Sequence, residues 1–144
     1  MATERRAEAT WQGSLMEGSG RVESTTSGVI GGLDVSWAAR AEEPGGKTSP
    51  EELIAAAHAT CLSMALAHGL AQEGHAPERL DTSATVTFQP GEGITKIALS
   101  VRGDVPGLDE DAFRAAAESA KENCPVSQAL ASVPEISLDA SLAS

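Results

Sequence analysis

The residues from Ser49 to Gly74 constrain the fold more than any other part of the chain. Ser49 is a preferred N-cap residue, Pro50 suits the first helical position, and Ser49 with Glu52 has the spacing of a capping box. Gly74 offers a left-handed C-cap, so the spacing predicts a helix that ends near residue 73. Such a helix has roughly 24 residues and is about 36 Å long, because each residue adds about 1.5 Å.

This helix is apolar on every side. Between Leu53 and Ala67 the apolar residues fall on all faces rather than along one stripe, which is typical of a helix that is buried all round. A chain of 144 residues can hardly bury such a rod by itself. Either sheets wrap the helix on several sides or a second copy of the chain covers it, and we expect a homodimer.

Composition limits the domain count and the partners. A length of 144 residues suits one domain, residues 1–144. The net charge of -11 repels phosphate backbones and anionic lipid headgroups, so we expect neither a nucleic acid nor a membrane partner. The first ten residues show no apolar leader, and polar residues interrupt the apolar helix, so the sequence predicts no signal peptide and no transmembrane segment.

Two cysteines are too few for a disulfide scaffold of a secreted protein. We therefore expect a cytoplasmic protein, in which any pairing of Cys61 and Cys124 is transient and chemical.

The first third of the chain and its last residues alternate in polarity as strands do. The pattern predicts a hairpin before residue 26 and a strand from Leu33 through Trp37 to Arg40. Two further strands, at 80–88 and 94–101, form a second hairpin. A final strand covers the alternating residues 136–142.

Two helices are predicted between these last strands. Asp109 is the N-cap of an amphipathic helix that ends near Asn123. Pro125 disfavours helical backbone at Cys124 and suits the start of a short helix, so Cys124 lies at a helix N-terminus. The element order lacks the regular alternation of a parallel α/β sheet, and it predicts an α+β fold with mostly antiparallel sheets around the long helix.

Cys61 and Cys124 are the candidates for nucleophilic chemistry. A lone cysteine inside a helix is most often a small core residue, and a cysteine at a helix start can be an inert capping thiol. Amide groups at a helix N-terminus nevertheless favour a thiolate and lower the pKa of a thiol, which points to reactivity at Cys124. A reactive cysteine also needs a nearby cation.

Arg40 and Glu51 flank the loop that leads into the cysteine helix. Each has a simple alternative, Arg40 as a solvated strand-end residue and Glu51 as a partner of the helix dipole. Ten residues, about 15 Å of helix, separate Glu51 from Cys61, so a shared site requires Glu51 of one chain and Cys61 of another. His58 shares a helix face with Cys61, but no CxxC or HxxxH spacing is present, so we expect no metal and no cofactor.

Two segments together resemble one protein family. They are Ser49-Pro-Glu-Glu-Leu-Ile-Ala-Ala-Ala-His-Ala-Thr-Cys61 and Asn123-Cys-Pro-Val-Ser-Gln128. Both are similar to motifs of the OsmC/Ohr family of bacterial thiol peroxidases, and the similarity extends over nearly the whole chain. The resemblance implies an OsmC-like fold, an intertwined homodimer with two active sites at its interface, and reduction of organic hydroperoxides or hydrogen peroxide.

The resemblance also implies roles for individual residues. Cys61 is then the peroxidatic cysteine and Cys124 the resolving one, Glu51 matches the glutamate of the family's proline-glutamate motif, and the two cysteines form a transient disulfide. The OsmC branch takes its arginine from the position of Arg40, whereas the Ohr branch places it in the first hairpin turn, where Arg21 stands. We favour Arg40 and the OsmC branch. An external dithiol, in this family a lipoyl-bearing protein, is the expected reductant.

Two other functions are compatible with the same fold. A dimeric redox sensor or small-ligand-binding protein would be oxidised once per chain, and a purely structural protein would keep both thiols inert to peroxide. Turnover separates a peroxidase from both. Three large side chains are candidate walls of a substrate pocket: Trp37, Leu62 and Phe113.

Overall fold

A computed structural model describes residues 1–143, and Ser144 lies outside the described residues. The elements, in chain order, are β1 (Ala7–Gln12), β2 (Ser19–Thr25), β3 (Leu33–Val35), α1 (Trp37–Ala41), α2 (Pro50–Gln72), β4 (Arg79–Gln89), β5 (Gly93–Asp104), α3 (Glu110–Asn123), α4 (Pro125–Ala129) and β6 (Glu135–Leu142). They form two compact units, the first ending at Leu53 and the second beginning at Ile54. Two three-stranded sheets and one long helix confirm the α+β class.

The first unit contains an antiparallel sheet with the strand order β1-β2-β3. The predicted hairpin is β1 with β2, in which Trp11 lies opposite Gly20. A Cβ atom at Gly20 would lie 2.4 Å from the Trp11 ring, so the hairpin needs a glycine there. Because side chains alternate along a strand, Arg21 and Val22 of β2 point to opposite faces of this sheet.

The strand predicted over residues 33–40 is wrong in its second half, which forms helix α1. Ser36 caps this helix, because its hydroxyl accepts a hydrogen bond of 3.1 Å from the backbone N–H of Ala39. Alternation over so few residues does not distinguish a strand from a helix, and the cap together with two consecutive alanines selects the helix. Arg40 therefore lies in the last turn of α1 and not at a strand end.

Helix α2 begins and ends where its capping signals predict. The Ser49 hydroxyl accepts a hydrogen bond of 3.2 Å from the backbone N–H of Glu52. At the other end Gly74 has a φ of 84°. The N–H groups of Gly74 and His75 donate to carbonyls of the last turn at 3.0 and 2.8 Å, which forms a Schellman motif.

One chain buries only part of α2, so the expected burial on all sides is not reached within it. Leu62, Leu66 and Leu70 are fully buried, whereas Met64 is 68% exposed. Helix α2 is long and apolar enough to cross a membrane, and 22% of its 18-residue apolar window is buried in the chain. One such helix is weak evidence for a membrane protein, because core helices of soluble proteins have the same composition.

The second unit has a sheet with the order β4-β5-β6, in which β5 is central. The predicted hairpin of β4 and β5 is antiparallel, and β6 pairs with β5 in parallel, with Ile136 opposite Ile97. Parallel neighbours need a long connection, which α3 and α4 provide here. The core of this unit is formed by apolar side chains of α2, β5, α3 and β6.

Gly103 of β5 lies directly beside the ring of Phe113, which gives a stability prediction. A Cβ atom at Gly103 would lie 2.6 Å from two ring carbons. Phe113 is fully buried, so its ring cannot move aside without disturbing the core. We expect Gly103→Ala to lower the free energy of unfolding by about 1–3 kcal/mol, measured by urea denaturation. Ser100→Ala on the exposed face of β5 is the control, and an equal loss in both variants would contradict this explanation.

Candidate active site

Two cysteines that are far apart in the sequence lie side by side in the second unit. Cys61 is partly buried in the middle of α2, and Cys124 is fully buried at the N-cap of α4. Both are free thiols, and each thiol shifts the pKa of the other, so the two side chains are close neighbours. A disulfide between them would join the middle of α2 to the start of α4.

The local sequence holds Cys124 in this position. Helix α3 ends at Asn123, and Cys124 has extended backbone (φ -63°, ψ 120°) because the following Pro125 disfavours the helical region. Pro125 then opens α4, as predicted. The side chain of Cys124 makes no capping hydrogen bond to α4, but the N–H groups of Val126 and Ser127 in the first turn of that helix both act to lower the pKa of its thiol.

The two thiols differ in the direction of their pKa shifts. Burial alone raises the pKa of Cys124, but hydrogen bonds from the Cys61 thiol, from the N–H and hydroxyl of Ser127 and from the N–H of Val126 outweigh it and lower that pKa. Burial, followed by the hydrogen bond to Cys124, raises the pKa of Cys61. Within one chain Cys61 is thus the proton donor of the pair. A cation beside Cys61 would favour its thiolate instead.

His58 on α2 and Ser127 on α4 form a pair to which the sequence alone assigned no role. Both side chains are buried, and Nε2 of His58 is 2.7 Å from Oγ of Ser127. Among residues 1–143 no group of three or more His, Cys, Asp or Glu side chains could hold a metal ion. The signal in the sequence was spacing, since His58 precedes Cys61 by three residues and Ser127 follows Cys124 by three.

Arg40 and Glu51 form an ion pair in the first unit. Nε of Arg40 is 3.0 Å from Oε1 of Glu51, and Nη2 of Arg40 is 2.9 Å from Oε2. The Glu51 side chain is 8% exposed and that of Arg40 is 33% exposed. Two parallel hydrogen bonds of this kind hold a guanidinium in one orientation. Glu51 is therefore a partner of Arg40 and not only of the helix dipole.

Arg40 also lines an apolar cavity of about 460 Å³ in the first unit. The other residues around this cavity are Ala9, Trp11, Leu15, Val22, Val35, Ser36, Trp37, Pro50 and Leu53. Trp37, a candidate wall of the substrate pocket, lines this cavity. Leu62 and Phe113 are instead fully buried side chains in the core of the second unit.

Arg21, the alternative arginine, points away from this cavity. Its neighbour Val22 lines the cavity, so Arg21 lies on the opposite face of the sheet. Its side chain is 56% exposed, and its Nε lies 3.6 Å from Glu23 and 4.0 Å from Asp34. Of the two arginines, Arg40 is the one that combines a fixed orientation with an apolar cavity.

Comparisons with known proteins match both sequence and fold. The family model described as OsmC-like protein matches residues 43–139. The peroxiredoxin OsmC of Escherichia coli K12 is 43% identical over 147 residues, which cover 100% of both chains. An organic hydroperoxide resistance protein OsmC from Legionella pneumophila superposes with a TM-score of 0.70 and 26% identity, covering 94% of this chain and 96% of that one. An organic hydroperoxide resistance protein from Elizabethkingia anophelis has the same fold, with a TM-score of 0.70, 23% identity and 99% of each chain covered.

Proposed function

The chain belongs to the OsmC-like protein family, and on that premise we propose that it is a thiol-dependent peroxidase that reduces organic hydroperoxides and hydrogen peroxide. The observation that carries the proposal is the pair of neighbouring free thiols, Cys61 and Cys124. A peroxide can oxidise such a pair to a disulfide and a dithiol can reduce it again, which completes a catalytic cycle. The relative from Escherichia coli is named a peroxiredoxin, which supports the same chemistry.

Cys61 is the peroxidatic cysteine in this proposal and Cys124 the resolving one. Exposure supports the assignment, because Cys61 is only partly buried whereas Cys124 is fully buried. The Cys61 thiolate attacks the distal oxygen of the hydroperoxide, the O–O bond breaks, and the leaving oxygen takes a proton to become an alcohol or water. Cys61 becomes a sulfenic acid, and Cys124 attacks its sulfur to form the disulfide and release water.

Arg40 supplies the cation that Cys61 needs, and Glu51 orients it. Burial raises the pKa of Cys61 within one chain, so a guanidinium beside this sulfur is required to favour the thiolate and to stabilise the leaving oxygen. Ten residues of one helix separate Glu51 from Cys61. The Arg40–Glu51 pair that serves Cys61 therefore belongs to a second copy of the chain.

A homodimer also accounts for the part of α2 that one chain leaves uncovered. An apolar helix with Met64 68% exposed needs a partner surface in water. The net charge of -11 makes an anionic lipid surface or a nucleic acid a poor partner. Each protomer contributes one domain, residues 1–144, and each of the two sites combines residues of both protomers.

The cavity beside Arg40 favours substrates with an apolar group. Its lining includes two tryptophans and several aliphatic side chains, and its volume is about 460 Å³. An alkyl or aryl group that enters this cavity loses apolar surface to water, whereas hydrogen peroxide has no such group. We therefore propose that organic hydroperoxides are reduced with a higher kcat/KM than hydrogen peroxide.

The reductant is a dithiol, and we propose that a lipoyl-bearing protein supplies it. Cys124 is fully buried, so a disulfide that includes it is reached more readily by a slender arm than by a thiol on a flat protein surface. Two free thiols suit the reducing cytoplasm, where we place the protein.

Steady-state peroxide consumption by the purified protein tests the proposal. Dihydrolipoamide is the reductant, and cumene hydroperoxide is compared with hydrogen peroxide. Many turnovers per chain are expected, with kcat/KM about tenfold or more higher for the organic substrate. Oxidation of one equivalent per chain would indicate a redox sensor, and no oxidation would indicate a structural protein.

Glu51→Gln tests whether Glu51 positions Arg40. The variant keeps the shape of the side chain and removes its charge, so the guanidinium loses its two charge-assisted hydrogen bonds. We expect kcat/KM to fall by about 10–100-fold. Glu52→Gln, at the next position of the same helical turn, removes the same charge from an exposed side chain. An equal loss of activity in both variants would point to the helix dipole rather than to Arg40.

A further inference from the structure

We propose that Ser127 and His58 are positioning residues for Cys124: the Ser127 hydroxyl donates a hydrogen bond to the Cys124 sulfur, and the buried His58 ring fixes that hydroxyl in this orientation. The inference rests on the proposed peroxidase function, because it concerns the step in which Cys124 attacks the oxidised Cys61. It adds two residues, one on α2 and one on α4, to the machinery of that step.

The direction of the hydrogen bonds follows from an unpartnered atom. Nε2 of His58 is 2.7 Å from Oγ of Ser127, and Nδ1 of His58 is buried without a hydrogen-bond partner among the described residues. Buried N–H groups without an acceptor are the rarer case, so the single ring proton belongs on Nε2. Burial lowers the pKa of His58 and keeps the ring neutral. His58 Nε2–H therefore donates to the Ser127 oxygen.

This arrangement leaves the Ser127 hydroxyl proton for Cys124. A serine hydroxyl rotates among several partners unless its oxygen is occupied, and here His58 occupies it. Ser127 is the third residue of α4, and the side chain at this position lies next to that of the N-cap residue, here Cys124; both side chains are buried. The Ser127 hydroxyl and N–H both act to lower the pKa of the Cys124 thiol, which agrees with this placement. Donors of this kind stabilise a thiolate more than a thiol.

The bond matters most after the first chemical step. In the reduced pair the Cys61 thiol also lowers the pKa of Cys124, but oxidation of Cys61 to a sulfenic acid removes its S–H group. The Ser127 hydroxyl remains. The Cys124 thiolate then attacks the Cys61 sulfur, an S–S bond forms, the S–O bond breaks, and the leaving hydroxide takes a proton from solvent.

Other titratable groups near Cys124 are few among the described residues. Helix α2 contributes two such groups, Cys61 beside Cys124 and His58 in contact with Ser127. Lys121 and Glu122, in the last turn of α3, line a cleft together with Ser127, and the Nζ of Lys121 lies 3.8 Å from the carboxylate of Glu118. These charged groups are the same in every variant that lacks the Cys61 thiol, so the difference in titration midpoint between such variants reports on the α4 donors.

The first experiment measures the thiolate absorbance of Cys124 against pH in a Cys61→Ser background. The thiolate is lost as the pH falls through the pKa of Cys124, so loss of a donor moves the midpoint to higher pH. Ser127→Ala and His58→Leu should both move it upward. His58→Gln, which keeps an N–H near the Nε2 position, should restore most of the difference, and Ser119→Ala on the exposed side of α3 is the control.

The second experiment follows a single turnover in chains that keep both cysteines. Ser127→Ala should slow disulfide formation about tenfold and leave the rate of Cys61 oxidation unchanged. Unchanged titration midpoints in folded Ser127→Ala and His58→Leu, checked by circular dichroism, would overturn the inference. If Ser127→Ala does not fold, His58→Leu against His58→Gln decides alone. A wild-type chain without turnover would overturn the proposed function, whereas the titration would still decide the hydrogen bonds.

Discussion

Replacement of Cys61 by serine should abolish peroxide turnover, with kcat/KM at least about a thousandfold lower than in the wild type. A serine hydroxyl has nearly the same shape, but it is not ionised at neutral pH and cannot form a sulfenic acid. The loss corresponds to about 4 kcal/mol of transition-state stabilisation. Steady-state consumption of cumene hydroperoxide with dihydrolipoamide as reductant measures it.

The same variant also tests which cysteine reacts first. In the single chain burial is the chief cause that raises the pKa of Cys61. The pKa of Cys124 is lowered, although its own burial acts in the opposite direction, so Cys124 is the competing nucleophile. Turnover by Cys61→Ser at more than about a tenth of the wild-type rate would show that Cys124 attacks peroxide itself. An unchanged unfolding transition is the required control, because Cys61 lies in the middle of α2.

Replacement of Cys124 by serine should leave the first chemical step intact and stop the cycle after it. We expect a rapid release of about one equivalent of alcohol per chain, followed by a steady-state rate at least about a hundredfold below that of the wild type. The physical reason is that the Cys61 sulfenic acid then has no thiol beside it. Rapid-mixing measurement of the released alcohol gives both the size of the burst and the later rate.

Mass spectrometry identifies the product of that stalled reaction. Dimedone reacts with sulfenic acids, so Cys124→Ser treated with peroxide should carry one adduct on Cys61, and the wild type should carry an intramolecular disulfide. Undiminished multiple turnovers of Cys124→Ser with dihydrolipoamide would contradict the resolving role. In that case the reductant attacks the sulfenic acid of Cys61 directly.

Local sequence signals were sufficient to predict the ends of helices and strands wherever one residue has a strong backbone preference. The start of α2 at Pro50, its end before Gly74 and the break at Cys124 each follow from a residue whose backbone preference is strong. The hairpin of β4 and β5 follows from alternation over many residues. The positions of Cys61 on a helix and Cys124 at a helix start were predictable in this way.

Contacts between distant segments were not predictable from such signals. The bond between His58 and Ser127 depends on how α4 packs against α2, and the spacing of each residue from its own cysteine does not indicate that the two residues meet. The parallel pairing of β6 with β5 likewise depends on the path of α3 and α4. The alternating residues around Trp37 wrongly predicted a strand. The hydrogen bond that caps α1 at Ser36 stabilises a helix there, and the alternation was too short to exclude one.

The raised pKa of Cys61 makes assembly a condition of activity under the proposed mechanism. Within one chain the hydrogen bonds favour a thiolate on Cys124, the cysteine with no exposed surface. In that mechanism the Arg40–Glu51 pair of a second protomer reverses this preference in favour of Cys61. Dilution that separates the protomers is therefore expected to lower the specific activity of each chain.

The parallel pairing of β6 with β5 also sets the order of events during synthesis on the ribosome. The central strand β5 can find its second neighbour only after α3, α4 and residues 135–142 have been made, because β6 follows them in the chain. Pairings between distant segments form late in folding. Helix α3, which ends one residue before Cys124, packs against β6. A nascent chain halted before residue 135 therefore carries two thiols whose surroundings are unfinished, and we expect a peroxide to oxidise either of them.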